Sequence, residues 1–272
     1  MTPRGPGDPP GPFPFPLWRV FSMRRSFVLA AVLFAATSLV AQQKTNSATT
    51  PLERKDAGSV RLHKSFLKRA NERPVDVLFL GDSITQGWSG NGKTVWKEHF
   101  NNWKPANFGI GGDRTEHVLW RITEGKELEN VDPKVVVLMI GTNNVGSNSA
   151  EQIADGVKDI VGELRKQKPK AKILLLAVFP RSGKSTRNLK DPNVCAADEL
   201  QPKIKQINDI IAKLDDGKFV TYLDINDKFL NDKGGLAKSI MPDYLHPSKE
   251  GYVIWAKAIE AKVESLLKQA KP

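Results

Sequence analysis

The chain has 272 residues, a formal charge of +11, four histidines and one cysteine. Cys195, being alone, excludes an internal disulfide, and the histidines show no His-Glu-x-x-His or paired-cysteine spacing, so no metal or other cofactor is expected. The lysines are scattered among acidic neighbours and not gathered with aromatics, which reads as solvated helix faces and not as a nucleic-acid surface.

Residues 1–22 are rich in Pro and Gly and carry no apolar period. Met23-Arg24-Arg25 then opens a segment whose apolar core, Phe27 to Val40, is short for a membrane span and ends at Ala41-Gln42. This predicts a leader over 1–41 with a secretory signal peptide cut near Ala41, translation starting at Met23, and a periplasmic or secreted product. An uncleaved anchor and a twin-arginine signal are the alternatives. Four arginines against Asp8 give the leader +3 of the +11, leaving +8 on the remainder. From Gln42 to about Val60 the sequence is polar and aperiodic and reads as a linker, so the domain is expected over 61–272. Roughly 230 residues suffice for one sizeable core.

Leu62, Phe66 and Leu67 predict an amphipathic helix leading into a first strand, Val75 to Leu80. A helix near Thr94 to Asn101, a short strand Ala106 to Phe108 and a helix Arg114 to Thr123 follow. Strand Val135 to Ile140 precedes a helix Ser149 to Lys168, in which Ile153, Val157, Ile160 and Leu164 recur at helical spacing. Strand Ile173 to Phe179, helix Asp198 to Leu214, strand Phe219 to Ile225 and helix Ser248 to about Leu267 complete the order. Repeated alternation of strand and helix predicts an α/β fold with a mostly parallel sheet covered on both faces. Right-handed crossovers then bring the loops after the strands to one edge, where ligands bind.

Four polar blocks fall in such positions. Gly81-Asp82-Ser83-Ile84 follows the first strand, Gly109-Ile110-Gly111-Gly112-Asp113 the second and Gly141-Thr142-Asn143-Asn144 the third, while Asp243-Tyr244-Leu245-His246 lies before the last helix. A serine hydroxyl is a weak nucleophile until a base takes its proton, and His246, oriented by Asp243, has the chemistry for that. The catalytic candidates are therefore Ser83, Asp243 and His246. Backbone N–H groups of Ser83 and Gly112 and the side-chain amide of Asn143 are candidate donors to a tetrahedral oxyanion. Ile84, Thr142 and Leu245 adjoin these residues and are candidates for a small acyl pocket. Asp113 is expected to cap the helix from Arg114. His63, His99 and His117 have no partner pattern and read as structural. Taken singly, each block is an ordinary turn or cap; the four together in this order, behind buried strands, read as one active site suited to attack on a carbonyl. The chain lacks the Gly-x-Ser-x-Gly elbow.

With Ser83, Gly112, Asn143 and His246 in four blocks, and Asp243 before the histidine, the chain resembles the SGNH, or GDSL-type, hydrolase superfamily. Val77 to Ser83, Asn107 to Arg121, Gly141 to Asn144 and Asp243 to His246 are similar to the branch holding the catalytic subunits of platelet-activating factor acetylhydrolase. The resemblance runs from about Pro74 to Leu267. It implies a flavodoxin-like three-layer α/β/α sandwich, with five parallel strands in the order 2-1-3-4-5, and metal-free hydrolysis of short acyl esters. Small esters, acetylated carbohydrates and lipids are the substrate classes it leaves open, and a homodimer stays compatible. An acyltransferase on the same site, or a catalytically idle polysaccharide-binding domain, are the competing functions. The export signal and the polar, basic loop Arg181 to Ala197 depart from the intracellular branch, the loop being long enough to reshape the mouth of a site.

Overall fold

The computed structural model describes residues 45–72, 74–182, 194–195, 200–232 and 234–270. The expected signal peptide and most of the loop Arg181 to Ala197 lie outside the described residues. Helix α1 covers Ala57–Glu72 and leads to strand β1, Val77–Gly81. A four-residue helix α2, Ser83–Gln86, starts directly behind it, followed by α3 (Lys93–Phe100), β2 (Pro105–Gly109) and α4 (Thr115–Ile122). Next come β3 (Val135–Met139), α5 (Ala150–Gln167), β4 (Lys172–Leu176), β5 (Val194–Cys195), α6 (Leu200–Ile211), β6 (Val220–Leu223), β7 (Leu236–Ala237) and α7 (Lys249–Gln269).

Five strands form one parallel sheet in the order β2-β1-β3-β4-β6, as the resemblance implies, while β5 and β7 make a separate antiparallel pair. Alternate residues of each central strand point to opposite faces, and both faces are dry. Leu78, Leu80, Val136, Leu138, Ile173 and Leu175 join α1, α4, α5 and α6 in one core. Val77, Phe79, Val135, Val137, Leu174 and Leu176 join α3 and α7 in the other. Continuous apolar strands are what a sheet covered on both sides requires.

The parallel register carries the strand ends to one edge: Gly81 of β1 pairs with Gly109 of β2 and Met139 of β3. Loops 82–83, 110–114 and 140–144 are thus neighbours before any side chain is considered. Gly109 permits α2 to start here, because a Cβ on it would lie 2.2 Å from the Gln86 backbone nitrogen.

Two expectations change. The segment read as a linker is, from Thr45 onward, a strap packed on the domain, and the compact unit begins at Thr45. Ala48 is fully buried, Asn46 Nδ2 donates to the Gln152 carbonyl at 3.1 Å, and the Thr115 hydroxyl donates to the Ala48 carbonyl at 2.8 Å. Irregular backbone docked through its own polar groups leaves no periodicity to read. The fourth strand ends at Leu176, before the expected Phe179, although Ala177, Val178 and Phe179 are fully buried. There the Asn208 side chain replaces a neighbouring strand, accepting from Val178 N–H at 2.8 Å and donating to its carbonyl at 3.0 Å.

Candidate active site

Ser83 is the first residue of α2. The Asp82 side chain caps that helix by accepting from Ile84 N–H at 2.9 Å, and the Tyr252 hydroxyl, from α7, donates to the Ile84 carbonyl at 2.7 Å. Burial pushes the Asp82 carboxyl up to about 7; the Ile84 N–H opposes this, Asp113 adds to it and Arg181 opposes it.

Ser83 Oγ lies 2.9 Å from His246 Nε2, and His246 Nδ1 lies 2.6 Å from Asp243 Oδ2. The Asp243 segment is a tight turn whose other carboxylate oxygen accepts from the backbone N–H groups of Leu245 at 3.0 Å and His246 at 2.7 Å. Tyr244 sits inside that turn at φ +58°, a left-handed conformation a bulky residue rarely adopts, and is held there fully buried. Desolvation works against charge on Asp243, but the hydrogen bonds from His246 and Leu245 outweigh it and keep the carboxyl below its ordinary value. An ionised carboxylate only accepts, so Nδ1 carries the imidazole proton and Nε2 is left to accept from the serine hydroxyl.

Gly112 is exposed, with φ +80°, the region glycine occupies without steric cost. The Gly111 N–H donates to Gln86 Oε1 at 2.7 Å and the Asp113 N–H to the Ile110 carbonyl at 3.1 Å. The N–H groups of Ser83 and Gly112, by contrast, have no acceptor among the described residues. Asn143 Nδ2 donates one hydrogen to the Asp113 carbonyl at 2.8 Å, which leaves its second hydrogen for another acceptor.

Of the expected pocket residues only Leu245 keeps accessible surface. Ile84 is wholly buried in the core below α2, and Thr142 is 1% exposed, so neither offers a face to a ligand. Asp113 does not cap α4. The Asn144 side chain accepts from the Thr115 N–H at 3.0 Å, and Asp113 is buried between Arg54 at 3.2 Å and Arg121 at 2.9 Å. His63 pairs with Glu127 at 2.7 Å, His99 with Glu260 at 3.2 Å, and His117 accepts from Arg114 N–H, all structural as expected.

Sequence reasoning missed four cations whose donors end on carbonyls in, or directly after, the two Gly-led loops. Arg54 donates to Gly111, Arg114 to Asn143, Arg181 to Thr142 and Lys203 to Val145. They come from four separate places in the chain, and no motif links them. A surface concavity of about 430 Å³ lined by Ala70, Glu72, Asp76 and Asp132 opens at the opposite edge of the sheet, where no nucleophile stands.

The chain matches the model of the GDSL-like Lipase/Acylhydrolase family over residues 79–254. It is 34% identical over 231 residues to the platelet-activating factor acetylhydrolase IB subunit alpha1 of Homo sapiens, which covers 84% of this chain and 93% of that protein. The IB subunit alpha2 of Rattus norvegicus is 36% identical over 208 residues, 76% of this chain and 84% of its own. A solved GDSL-like lipase from Bacteroides thetaiotaomicron shares the fold, with a TM-score of 0.59 at 21% identity, over 75% of this chain and 97% of that one. Sheet topology and relatives together define a carboxylic ester hydrolase. The chain belongs to the GDSL-like Lipase/Acylhydrolase family.

Proposed function

We propose that the chain is an exported serine esterase cleaving short-chain, acetyl-like esters through Ser83, His246 and Asp243. The observation that carries this reading is the unbroken line from Ser83 Oγ through His246 to Asp243, at 2.9 and 2.6 Å, beside two N–H groups without acceptors among the described residues. His246 Nε2 takes the hydroxyl proton as Ser83 Oγ bonds to the ester carbonyl carbon, and Asp243 stabilises the imidazolium. The resulting oxyanion is received by the N–H groups of Ser83 and Gly112 and the second amide hydrogen of Asn143. Collapse expels the alcohol, which takes the proton from Nε2. Water then repeats the sequence on the acyl-enzyme, releasing the acid and restoring Ser83.

The acetyl preference rests on the relatives, which are named as acetylhydrolases. Export rests on the pattern from Met23 to Ala41, and it favours a sugar acetate or an envelope lipid as substrate. The test is turnover of an acetyl, butyryl and octanoyl ester panel, followed by acetylated xylan and an acetyl phospholipid. Ser83→Ala and His246→Ala should each lower turnover by several powers of ten, on the order of the losses seen when one member of such a unit is removed, and the double variant should be little worse than either. Near-normal turnover by purified Ser83→Ala would reject the assignment.

A further inference from the structure

We infer that Arg54, on the strap, is a positioning residue that fixes the orientation of the Gly112 N–H; the inference rests on the esterase reading above. The Gly111 carbonyl and the Gly112 N–H belong to one planar trans peptide, so they point in opposite directions and turn together. Arg54 Nη1 donates to that carbonyl. The grip on the carbonyl therefore sets where the N–H points.

The peptide needs such a grip. It has glycine on both sides, so rotation about the flanking bonds meets little steric resistance, and a flip would turn the N–H away from the position of an oxyanion. The preceding peptide is secured at both ends, its N–H by Gln86 and its carbonyl by the Asp113 N–H. For the peptide between Gly111 and Gly112, the carbonyl contact with Arg54 is the one hydrogen bond among the described residues. Arg54 is itself held on three sides. Nη1 also meets Asp113 Oδ1 at 3.2 Å, Nε donates to Asp56 Oδ2 at 3.0 Å, and Nη2 lies 2.9 Å from the same oxygen. Its side chain is only a quarter exposed, and Asp113 beneath it is tied to Arg121. A Cβ on Gly112 would stand 3.3 Å from Nη1, so the guanidinium lies directly against the loop.

A cation on the carbonyl oxygen also polarises the amide, which makes the N–H a stronger donor to a developing negative charge. Arg54 thereby acts on the transition state without touching substrate, and its loss should appear in kcat and not in KM.

Three variants test this. Arg54→Ala should lower kcat on p-nitrophenyl acetate by about ten- to a hundredfold, less than outright loss of an oxyanion donor because the N–H survives in a mixture of orientations. KM should stay within about twofold. Affinity for a trifluoromethyl ketone, which mimics the tetrahedral adduct, should fall in the same proportion as kcat. Arg54→Lys keeps the charge and one donor and should recover much of the loss. Asn46→Ala loosens the far end of the strap and should lower Tm with kcat unchanged. A folded Arg54→Ala with wild-type kcat, or a kcat loss matched by Asn46→Ala, overturns the proposal.

A second readout does not depend on turnover. In glycine-labelled protein, the Gly112 amide resonance should shift and broaden in both Arg54→Ala and Arg54→Lys, most in the former, as the peptide samples two orientations. An unchanged resonance overturns the proposal whatever the assay gives. A wild-type protein inert toward every ester, with the Gly112 response intact, rejects the esterase reading and leaves the positioning role standing.

Discussion

Asp82 and Asp243 flank the same serine, yet their surroundings drive them in opposite directions. Asp243 accepts hydrogen bonds from His246 and Leu245 that favour its anion, so it adds stability that is present above its unfolded value and lost as pH falls through its lower folded value. Asp82 is wholly buried, its second oxygen has no hydrogen-bond partner among the described residues, and its folded value is about 7 against an unfolded value of 3.8. From about pH 4 to 7 the unfolded chain has released this proton and the folded one retains it, so folding loses stability as pH rises across that window, by up to about 4 kcal/mol. Asp82→Asn keeps the oxygen that caps α2 and cannot ionise. The Tm of the variant relative to wild type should therefore climb between pH 4.5 and 7.5, and a difference flat in pH would show that Asp82 ionises as readily in the fold as out of it. Leu245 makes a separate prediction. It is half-buried against the core shared with α3 and α7 and next to His246, so truncation to alanine should raise hexanoyl over acetyl turnover, with each accommodated methylene worth about 1–3 kcal/mol. An unchanged ratio with a large fall in Tm would assign Leu245 to packing alone.

At the level of elements, what could be read from sequence and what could not divides on a physical line. β1 and β3 and helices α5 and α7 lie within a few residues of the predicted bounds, because an apolar run or a 3.6-residue stripe is a direct imprint of burial. The loops bearing Ser83, Gly112, Asn143 and His246 were legible for the same reason, each being a polar block next to a buried strand or the last helix. Contacts made by one polar side chain on a distant backbone left no trace in the pattern. Arg54 reaching Gly111, Asn144 capping α4 and Asn208 bracketing Val178 are all of this kind. Ile84 misled for a related reason, since adjacency to Ser83 in sequence says nothing of which side of α2 a residue takes, and Ile84 takes the core side. Asn208 offers the sharper test of how the fold is closed. Asn208→Ala would leave a buried Val178 N–H without an acceptor where the fourth strand stops, a loss of about 1–3 kcal/mol for the orphaned donor. Chemical denaturation should show that loss with little change in slope. A neutral substitution would mean that water or another group reaches Val178.

At the scale of the whole domain, the strap that begins at Thr45 reaches the site through Arg54. The compact unit starts at Thr45, only a few residues beyond the expected cut at Ala41, so a processed chain would begin almost where the strap docks. Ordering the strap, residues 45–56, costs on the order of 1 kcal/mol per residue, more than its few hydrogen bonds at about 1 kcal/mol each return. What tips the balance is what the strap covers. Ala48 lies on Gly156, where a Cβ would come within 2.5 Å of the Ala48 carbonyl; the Leu52 N–H donates to the Glu116 carbonyl at 3.1 Å; and Arg54 pairs with the buried Asp113 at 3.2 Å. Removing the strap would leave Asp113 with Arg121 as its partner and expose the packed surface of α4 and α5. Two truncations separate the leader from the strap. A chain beginning at Thr45 should match the full-length chain in Tm and kcat. One beginning at Ala57 should lose about 5 °C or more, given a shift of about 2–4 °C per kcal/mol for a domain of this size. It should also show the kcat defect of Arg54→Ala with KM preserved, because the Gly111–Gly112 peptide has then lost its hold. If the shorter chain were as stable and as active as the longer one, the strap would be ornament to the fold, and the orientation of the Gly112 N–H would have to be set from within the domain.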